Sequence, residues 1–256
     1  MSIVNKNNVE LLGWYGGDRR VCLSAWQSTT DELGLDISGI PENARIDEIF
    51  KHLSTQKKKT PFELLEMLAS HNHGTPFEKV FVDFQITADI ASHIHALKHR
   101  ISHINSESAR YKELIDKIYI PEDWKDIEVV SNDAKLICGF EKSETTWDQL
   151  LLERSRENND LYHIACTELT PILGRKRAKE SSRYFLQYNK QLNFDWQMNW
   201  RSFVNIQNLR NKPDAQIEIR EIANEMLRLV ENIEGNPFEG CLKAFNLKSN
   251  ERNSKN

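Results

Sequence analysis

The sequence has few cysteines, no long apolar run and no strong excess of charge of either sign. Its four cysteines are scattered at Cys22, Cys138, Cys166 and Cys241. No pair has the spacing of a metal site, and no disulfide framework is visible, which favours a reducing compartment. No apolar run approaches the roughly 20 residues of a membrane span. The formal net charge of -4 provides no global field for nucleic acid. We therefore expect a cytoplasmic, globular protein that binds neither membranes nor nucleic acid.

Length and composition favour one domain with an ordinary hydrophobic core. The 256 residues are 39% apolar and 28% charged, which is typical of a soluble protein with a wet surface. We expect a single domain over residues 1–256, with a disordered polar tail at 248–256. Residues 1–10 lack an apolar run, so we expect no secretory signal there.

Hydrophobic periodicity predicts an α+β fold that is rich in helix and has a modest sheet. Residues 79–86 alternate, with Val80, Val82 and Phe84 on one face, as in a half-buried strand. Helical spacing follows over 88–98, with Leu97 on the apolar side. The long helix over 145–172 has Leu161 and Ile164 among its apolar positions. Further helices are predicted over 18–28, 44–54, 61–70, 176–188, 199–209 and 215–233, and short strands over 118–121, 127–130, 136–140 and 194–198.

Two polar segments carry the candidate binding groups. Residues 98–111 combine three cations, three hydroxyls and an amide, which are groups that bind phosphates and flat polar rings. They are Lys98, Arg100, Arg110, Ser102, Ser106, Ser108 and Asn105. The alternative is a solvated helix end that is rich in charge. In the second segment, Arg201 and Asn205 share a helical face. They either form a polar ladder for a flat cofactor, or Arg201 and Arg210 are surface partners of Glu218 or Glu225.

Histidines suggest a metal site, but their pattern argues against one. His95, His99 and His103 recur every four residues, and His71 and His73 lie nearby. No carboxylate joins the first three at ligand spacing, and there is no His-Glu-x-x-His pattern. We therefore predict no metal.

Four blocks in a fixed order give the sequence a family resemblance. They are His73-x-Thr75-Pro76-Phe77-Glu78; His99-Arg100, seven residues, Ser108, then Arg110-Tyr111; Asn199-x-Arg201-Ser202; and Asn208-Leu209-Arg210 with Ala215-Gln216-x-Glu218-Ile219. Together they resemble the flavin-dependent thymidylate synthases, the ThyX family, whose signature is Arg-His-Arg, seven residues, then Ser. The resemblance covers residues 71–111 and 183–220.

The resemblance implies a small antiparallel sheet flanked by helices, a helical second half, and a homotetramer with shared active sites. It implies reductive methylation of C5 of dUMP with methylenetetrahydrofolate and NADPH, by way of FAD. Arg210 would be catalytic, because a fixed guanidinium stabilises negative charge on the pyrimidine. The residues implied to contact FAD are His73, Thr75, Lys98, His99, Arg100, Ser106, Asn199, Arg201 and Asn205. The residues implied to contact the nucleotide are His95, Lys98, Ser106, Glu107, Ser108, Ala109, Arg110, Arg210 and, from a neighbouring subunit, Arg183.

Three positions depart from the family pattern around the base and sugar. Lys98 replaces the first signature Arg and cannot supply a bidentate fork. His95 stands where the family usually has Gln, and Ser106 where it usually has Glu. These departures leave two alternatives: a paralogue that modifies C5 of UMP or of a cytidine nucleotide, or a homologue that binds nucleotides without catalysis.

Overall fold

The computed structural model describes residues 1–137, 139 and 144–250, which form helices and short strands. The strands are β1 (Ser2–Val4), β2 (Asn8–Tyr15), β3 (Phe81–Asp89), β4 (His103–Ser106), β5 (Lys117–Tyr119) and β6 (Gln191–Asn199). The helices are α1 (Gly17–Trp26), α2 (Arg45–Ser54), α3 (Pro61–Ser70), α4 (Ile90–Ala96), α5 (Asn132–Ile137), α6 (Trp147–Leu173), α7 (Arg175–Ser182), α8 (Trp200–Arg210), α9 (Ile217–Glu231) and α10 (Glu239–Ala244). Short 3-10 turns include Thr75–Lys79 and Arg183–Phe185. The α+β class predicted from the sequence is confirmed.

The strands form two sheets. Four strands make the main sheet in the order β2-β3-β6-β4, and β1 pairs in parallel with β5. The small antiparallel sheet flanked by helices is confirmed. Strands β1, β2 and β4 were not predicted, and β4 lies inside the polar segment of residues 98–111.

The chain groups into two compact units, each built from separate segments. The first unit contains Met1–Asn8, Ile86–Lys98 and the described part of 105–194. The second contains Val9–Gln85, His99–Ile104 and the described part of 195–256. The prediction of a single domain stays a prediction. In the region predicted as a disordered tail, the N–H of Asn250 donates to Asn224 at 2.8 Å, and residues 251–256 lie outside the described residues.

Alternation along β3 builds the core of the second unit. Val80, Val82 and Phe84 are each at most 1% exposed, as their period of two predicts. Trp200 at the start of α8 stacks on Phe238 with ring centroids 4.7 Å apart. This core supports the turn Thr75–Lys79 and α8, which carry three of the predicted flavin ligands, Thr75, Arg201 and Asn205.

Side-chain caps set where three helices begin. Thr60 and Glu63 have the three-residue spacing that predicts a capping box, and they form this box at the start of α3. Asp89 accepts from the N–H of Ser92 at 2.8 Å and caps α4. Asn199 accepts from the N–H of Ser202 at 2.9 Å and caps α8. Asn199, itself a predicted flavin ligand, therefore helps to position the predicted site residues of α8.

The long helix α6 buries a polar face instead of the predicted apolar one. Leu161 and Ile164 are 44% and 50% exposed, whereas Ser155, Asn159 and Tyr162 are buried. Hydrogen bonds explain this burial, because a buried polar group is stable only when it has a partner. The Ser155 hydroxyl, for example, donates to the side-chain carbonyl of Gln187 at 2.8 Å.

Two other expectations need correction. Leu97, directly after α4, is 49% exposed, while Ser92 and Ala96 of the helix are buried, so the prediction that Leu97 lies on the buried side was wrong. The strand predicted over 136–140 is contradicted by α5, which runs to Ile137, and most of its remainder lies outside the described residues. Within 127–130 the structure has only an isolated bridge, from Glu128 to Thr146.

Candidate functional site

A cavity of about 140 Å³ lies in the second unit beside two predicted flavin ligands, His73 and Arg201. Phe77 and Val204 give it apolar walls, and the guanidinium and the imidazole are its ionisable groups. An apolar pocket with a few polar groups is the usual form of a cofactor site. Its lining residues are Leu68, Ala69, Asn72, His73, Gly74, Phe77, Arg201, Val204 and Phe245.

Arg201 is held at this cavity by a carboxylate and by a close glycine. Its Nη1 donates to Glu78 Oε1 at 2.7 Å, although its side chain is 65% exposed. A Cβ on Gly74 would lie 3.0 Å from Arg201 Cδ and Nε. The absence of a side chain at residue 74 therefore lets the guanidinium lie against the backbone.

The other predicted flavin ligands of this region have different surroundings. Thr75 begins the 3-10 turn and is exposed. Asn205 is exposed one helical turn after Arg201. The Asn199 side-chain oxygen caps α8, which leaves its NH₂ group to donate to a ligand.

Arg210 and His99 come together in the second unit. Arg210 Nε donates to His99 Nε2 at 3.0 Å. Because a guanidinium can only donate, this hydrogen bond assigns His99 as a neutral ring with its proton on Nδ1. His99 is buried, with its ring centroid 5.8 Å from that of Trp196. The Trp196 indole in turn donates to the Ser102 hydroxyl at 2.9 Å. Arg210 is thus held by a supported imidazole.

The predicted phosphate ligands of the first unit lie on the segment that follows β4. Arg110 Nε donates to Glu180 Oε1 of α7 at 2.9 Å, and the backbone N–H of Arg110 donates to the Ser108 hydroxyl at 3.3 Å. Arg183 is exposed one helical turn after Glu180. The hydrogen bond from Arg110, with the charges of Lys176 and Arg177 on the same helix, lowers the pKa of the Glu180 carboxyl. The cations outnumber this carboxylate, so the surface suits a phosphate.

The positions that depart from the family pattern have distinct environments in the first unit. Ser106 Oγ lies 2.7 Å from His93 Nε2, and burial lowers the pKa of His93, so this ring is neutral. Nδ1 of His95 is buried without a hydrogen-bond partner among the described residues. Lys98 is exposed.

Glu107 has a structural role that its predicted role did not include. Its N–H donates to the carbonyl of Asn193 at 2.9 Å, and its Oε1 accepts from the N–H of the same residue at 2.9 Å. Its side chain is 7% exposed and forms an ion pair with Lys112. Glu107 therefore fastens its segment to β6. Ala109 is half-buried and Arg100 is exposed.

The three histidines spaced four apart do not share a helix, because α4 ends at Ala96. In residues 1–137, 139 and 144–250, no group of three or more His, Cys, Asp or Glu side chains could hold a metal ion. Over the same residues, no helix has the length and apolar character needed to cross a membrane.

Sequence reasoning missed the partners that hold the site residues in place. Glu78 was quoted only as part of a motif, and its pairing with Arg201 was not predicted. His93, Glu180 and Trp196 were not singled out at all. The only signal for His93 was its place on α4, beside the altered residue His95.

Comparison with known proteins identifies the family. A family model described as thymidylate synthase complementing protein, Thy1, matches residues 10–234. The flavin-dependent thymidylate synthase of Thermosipho africanus (strain TCF52B) is 32% identical over 188 residues, which are 72% of this chain and 79% of that protein. The flavin-dependent thymidylate synthase of Thermosipho melanesiensis (strain DSM 12029 / CIP 104789 / BI429) is 29% identical over 213 residues, 83% of this chain and 88% of that protein.

A solved structure shows the same fold over the whole length. It is the crystal structure of a UMP/dUMP methylase, PolB, from Streptomyces cacaoi bound with 5-Br UMP. The TM-score is 0.64 at 20% identity, over 98% of this chain and 99% of that one. The family match and the identity to the first Thermosipho protein confirm the family and the enzyme class predicted from the signature. The chain therefore belongs to the thymidylate synthase complementing protein family, Thy1, the family of the flavin-dependent thymidylate synthases.

Proposed function

We propose that the chain catalyses reductive methylation of C5 of dUMP, with FAD, NADPH and methylenetetrahydrofolate. The observation that carries this proposal is Arg210, held by a neutral His99 of the signature at 3.0 Å. Such an arginine is fixed in place by a neutral partner.

Arg210 supplies the charge that this chemistry needs. C5 of a pyrimidine becomes nucleophilic when negative charge is delocalised over N3 and the ring carbonyls. A guanidinium placed at that edge stabilises the charge as it develops, and a preorganised donor does so without reorganising. In the proposed site no side chain attacks the ring, and Ser108 is a ligand that accepts a hydrogen bond from Arg110.

The basic surface of the first unit supports a nucleotide monophosphate. Arg110 and Arg183 are exposed guanidinium groups, and Ser108 adds a hydroxyl beside the first of them. Bidentate guanidinium contacts and short hydroxyl donors suit the oxygens of a phosphate dianion. We assign Arg110, Ser108 and Arg183 to the phosphate, with Arg183 contributed by a neighbouring subunit of a homotetramer.

The lining of the cavity in the second unit suits one part of a flavin nucleotide. Arg201, next to Gly74, offers an exposed guanidinium for a diphosphate, and Phe77 and Val204 offer apolar contact for a ring system. We assign His73, Thr75, Asn205 and the NH₂ group of Asn199 to the same cofactor. Bound FAD supplies the hydride and one-carbon transfer chemistry that amino-acid side chains lack.

A second substrate, UMP, is favoured by the surroundings of Ser106. The family carboxylate is replaced there by a hydroxyl that is bonded to a neutral His93, and His95 has a buried ring nitrogen without a partner among the described residues. Unpaired polar atoms are costly when buried, so a ligand hydroxyl or amide that paired with this nitrogen would bind more tightly.

Release of tritium from C5 tests both substrates in one assay. Purified protein reconstituted with FAD is incubated with NADPH, methylenetetrahydrofolate and C5-tritiated dUMP, UMP or dCMP. Release from dUMP supports the main proposal, and release from UMP alone supports the second. Protein that shows no flavin absorbance after incubation with FAD, and no release from any of the three, refutes both.

Ser106 is tested by its effect on the ratio of kcat/KM for dUMP to kcat/KM for UMP. We expect Ser106→Ala to change this ratio about fivefold, the effect of one hydrogen bond of about 1 kcal/mol. Ser54→Ala is the control, because the Ser54 hydroxyl donates to the carbonyl of Lys51 on its own helix, α2. An unchanged ratio in Ser106→Ala would show that this hydroxyl does not contribute to discrimination between dUMP and UMP.

A further inference from the structure

In the first unit, a histidine of α6 lies between two carboxylates of the segment after β4. His163 Nδ1 lies 2.6 Å from Glu113 Oε2, and its Nε2 lies 2.9 Å from Asp116 Oδ1. An ionised carboxylate can only accept, so both ring nitrogens must carry a proton to satisfy this arrangement. The geometry therefore describes an imidazolium that joins two anions.

A second layer of groups fixes these carboxylates. Asp116 Oδ1 also accepts from Asn159 at 3.2 Å and lies 3.4 Å from Lys190 Nζ. Lys179 Nζ lies 3.8 Å from Glu113 Oε1. Two lysines thus support the two carboxylates that face the protonated histidine. Of its members Lys190 is the most deeply buried, with a side chain 3% exposed.

The segment that His163 holds also carries the proposed phosphate ligands. Residues 107–116, here called the phosphate loop, begin at Glu107, which is fastened to Asn193. They end at Asp116, and the N–H of Leu114 donates to the Tyr162 hydroxyl of α6 at 3.3 Å. Ser108 and Arg110 lie between these two anchors. Because a ligand geometry is only as accurate as its supports, the second anchor controls how well the phosphate is bound.

We propose that His163 is a positioning residue whose protonated ring fastens the phosphate loop to α6 and makes nucleotide affinity depend on pH. The part of this inference that concerns Ser108 and Arg110 rests on the proposed function, whereas the contact between His163 and the phosphate loop does not. The His163 ring faces Glu113 and Asp116 of the phosphate loop and its chain neighbour Tyr162 on α6. Lys179 and Lys190 lie behind these carboxylates, beside Glu113 and Asp116 respectively.

The direction of the pH dependence follows from the charges. Burial by itself would lower the pKa of His163, but the hydrogen bonds and charges of Asp116 and Glu113 outweigh it and raise the pKa above 6.5. Burial would likewise raise the pKa of Asp116, but His163, Asn159 and Lys190 outweigh it and lower the pKa. The anchor is therefore complete below about pH 6.5 and is lost as the pH rises through the raised pKa of His163.

Nucleotide binding by three proteins tests the anchor. The FAD-loaded wild type, His163→Gln and His163→Arg are titrated with dUMP and with UMP by equilibrium dialysis between about pH 6 and pH 9. We expect His163→Gln to weaken binding about three- to fivefold at the acid end, as for a partly exposed ion pair, and little at the alkaline end. His163→Arg keeps a permanent cation, so its affinity should not follow the alkaline loss of the wild type. A ratio of wild-type to His163→Gln affinity that is the same at every pH overturns the proposal.

Amide hydrogen exchange gives a readout that needs no nucleotide. At about pH 6 we expect faster exchange across residues 108–116 in His163→Gln than in the wild type, with the rest of the chain unchanged. His52→Gln is the matched control, because His52 is half-exposed and its hydrogen bond runs to Gln56 on the same stretch of chain. Unchanged exchange in the phosphate loop also overturns the proposal. If the wild type binds neither nucleotide, the proposed function fails, and the exchange result still decides whether His163 anchors the loop.

Discussion

Replacing Arg210 should separate catalysis from flavin binding. Arg210→Lys keeps a positive charge but removes the planar fork and the hydrogen bond from Nε to His99 at 3.0 Å. A hydrogen bond from a charged donor contributes about 1.5–3 kcal/mol, and Arg210 is half-buried, so the lower part of that range applies. We expect kcat/KM to fall about ten- to thirtyfold in Arg210→Lys.

Arg210→Ala removes the charge as well. Truncating one partner of a charged hydrogen bond in a binding site costs about 2–5 kcal/mol, which corresponds to a loss of roughly 30- to 5,000-fold in kcat/KM. The loss should appear in tritium release from C5, and the flavin absorbance of the purified protein should be unchanged. Arg228→Ala is the control, because Arg228 is exposed near the end of α9 and pairs with Glu225.

Two results would contradict this reasoning. If Arg210→Ala lost FAD to the same extent as Arg201→Ala, the division of the two arginines between nucleotide and cofactor would be wrong. If Arg210→Lys retained full activity, the fixed fork held by His99 would have no part in the chemistry.

Three further predictions follow, two on the cofactor and one on stability. Arg201→Ala should weaken FAD binding about tenfold or more. Gly74→Ala should weaken FAD binding several-fold with little change in Tm, because the added Cβ would displace the flexible end of Arg201. Flavin retention on dialysis measures both effects, and tight FAD binding in Gly74→Ala would refute the prediction for that variant. Lys190→Ala should lower the stability by about 2 kcal/mol and the Tm by about 4–8 °C in a thermal melt, because it leaves the buried side-chain oxygen of Asn159 without its donor and removes one cation from Asp116. A Tm within about 2 °C of the wild type would show that this network is not stabilising.

The sequence predicted elements well where one side of the element faces an apolar core. The alternation through Val80, Val82 and Phe84 predicted β3 because burial on one face of a strand has a period of two. Thr60 and Glu63 predicted the start of α3 because a capping box is a purely local interaction. In both cases the information lies within a few neighbouring residues.

The sequence failed where burial depends on distant partners. The buried face of α6 carries Ser155 and Asn159, and their partners lie near residues 116 and 187–190. A prediction from periodicity uses only the spacing of apolar residues, so it placed the apolar side of α6 in the core. Strand β4 was missed because Ile104 is the one apolar residue among its four, so the alternating burial of the strand leaves no alternation of hydrophobicity in the sequence.

The candidate site was predicted from motifs as a set of residues, without their geometry. The motifs placed Arg201, Arg210 and Arg110 in one family pattern, and the structure adds a partner for each: Glu78, His99 and Glu180. None of these partners lies within 40 residues in sequence of its arginine. Whether the residues of the two units converge on one pocket stays a prediction.

The segmented make-up of the two units has a consequence for experiments on fragments. The chain leaves one unit for the other after residues 8, 85, 98, 104 and 194. No single truncation can therefore yield either unit alone, and a chain cut between Lys98 and His99 would have its signature divided. Loss of activity in such a fragment would report the interruption of both units, so individual roles are better assigned by point substitution in the full-length chain.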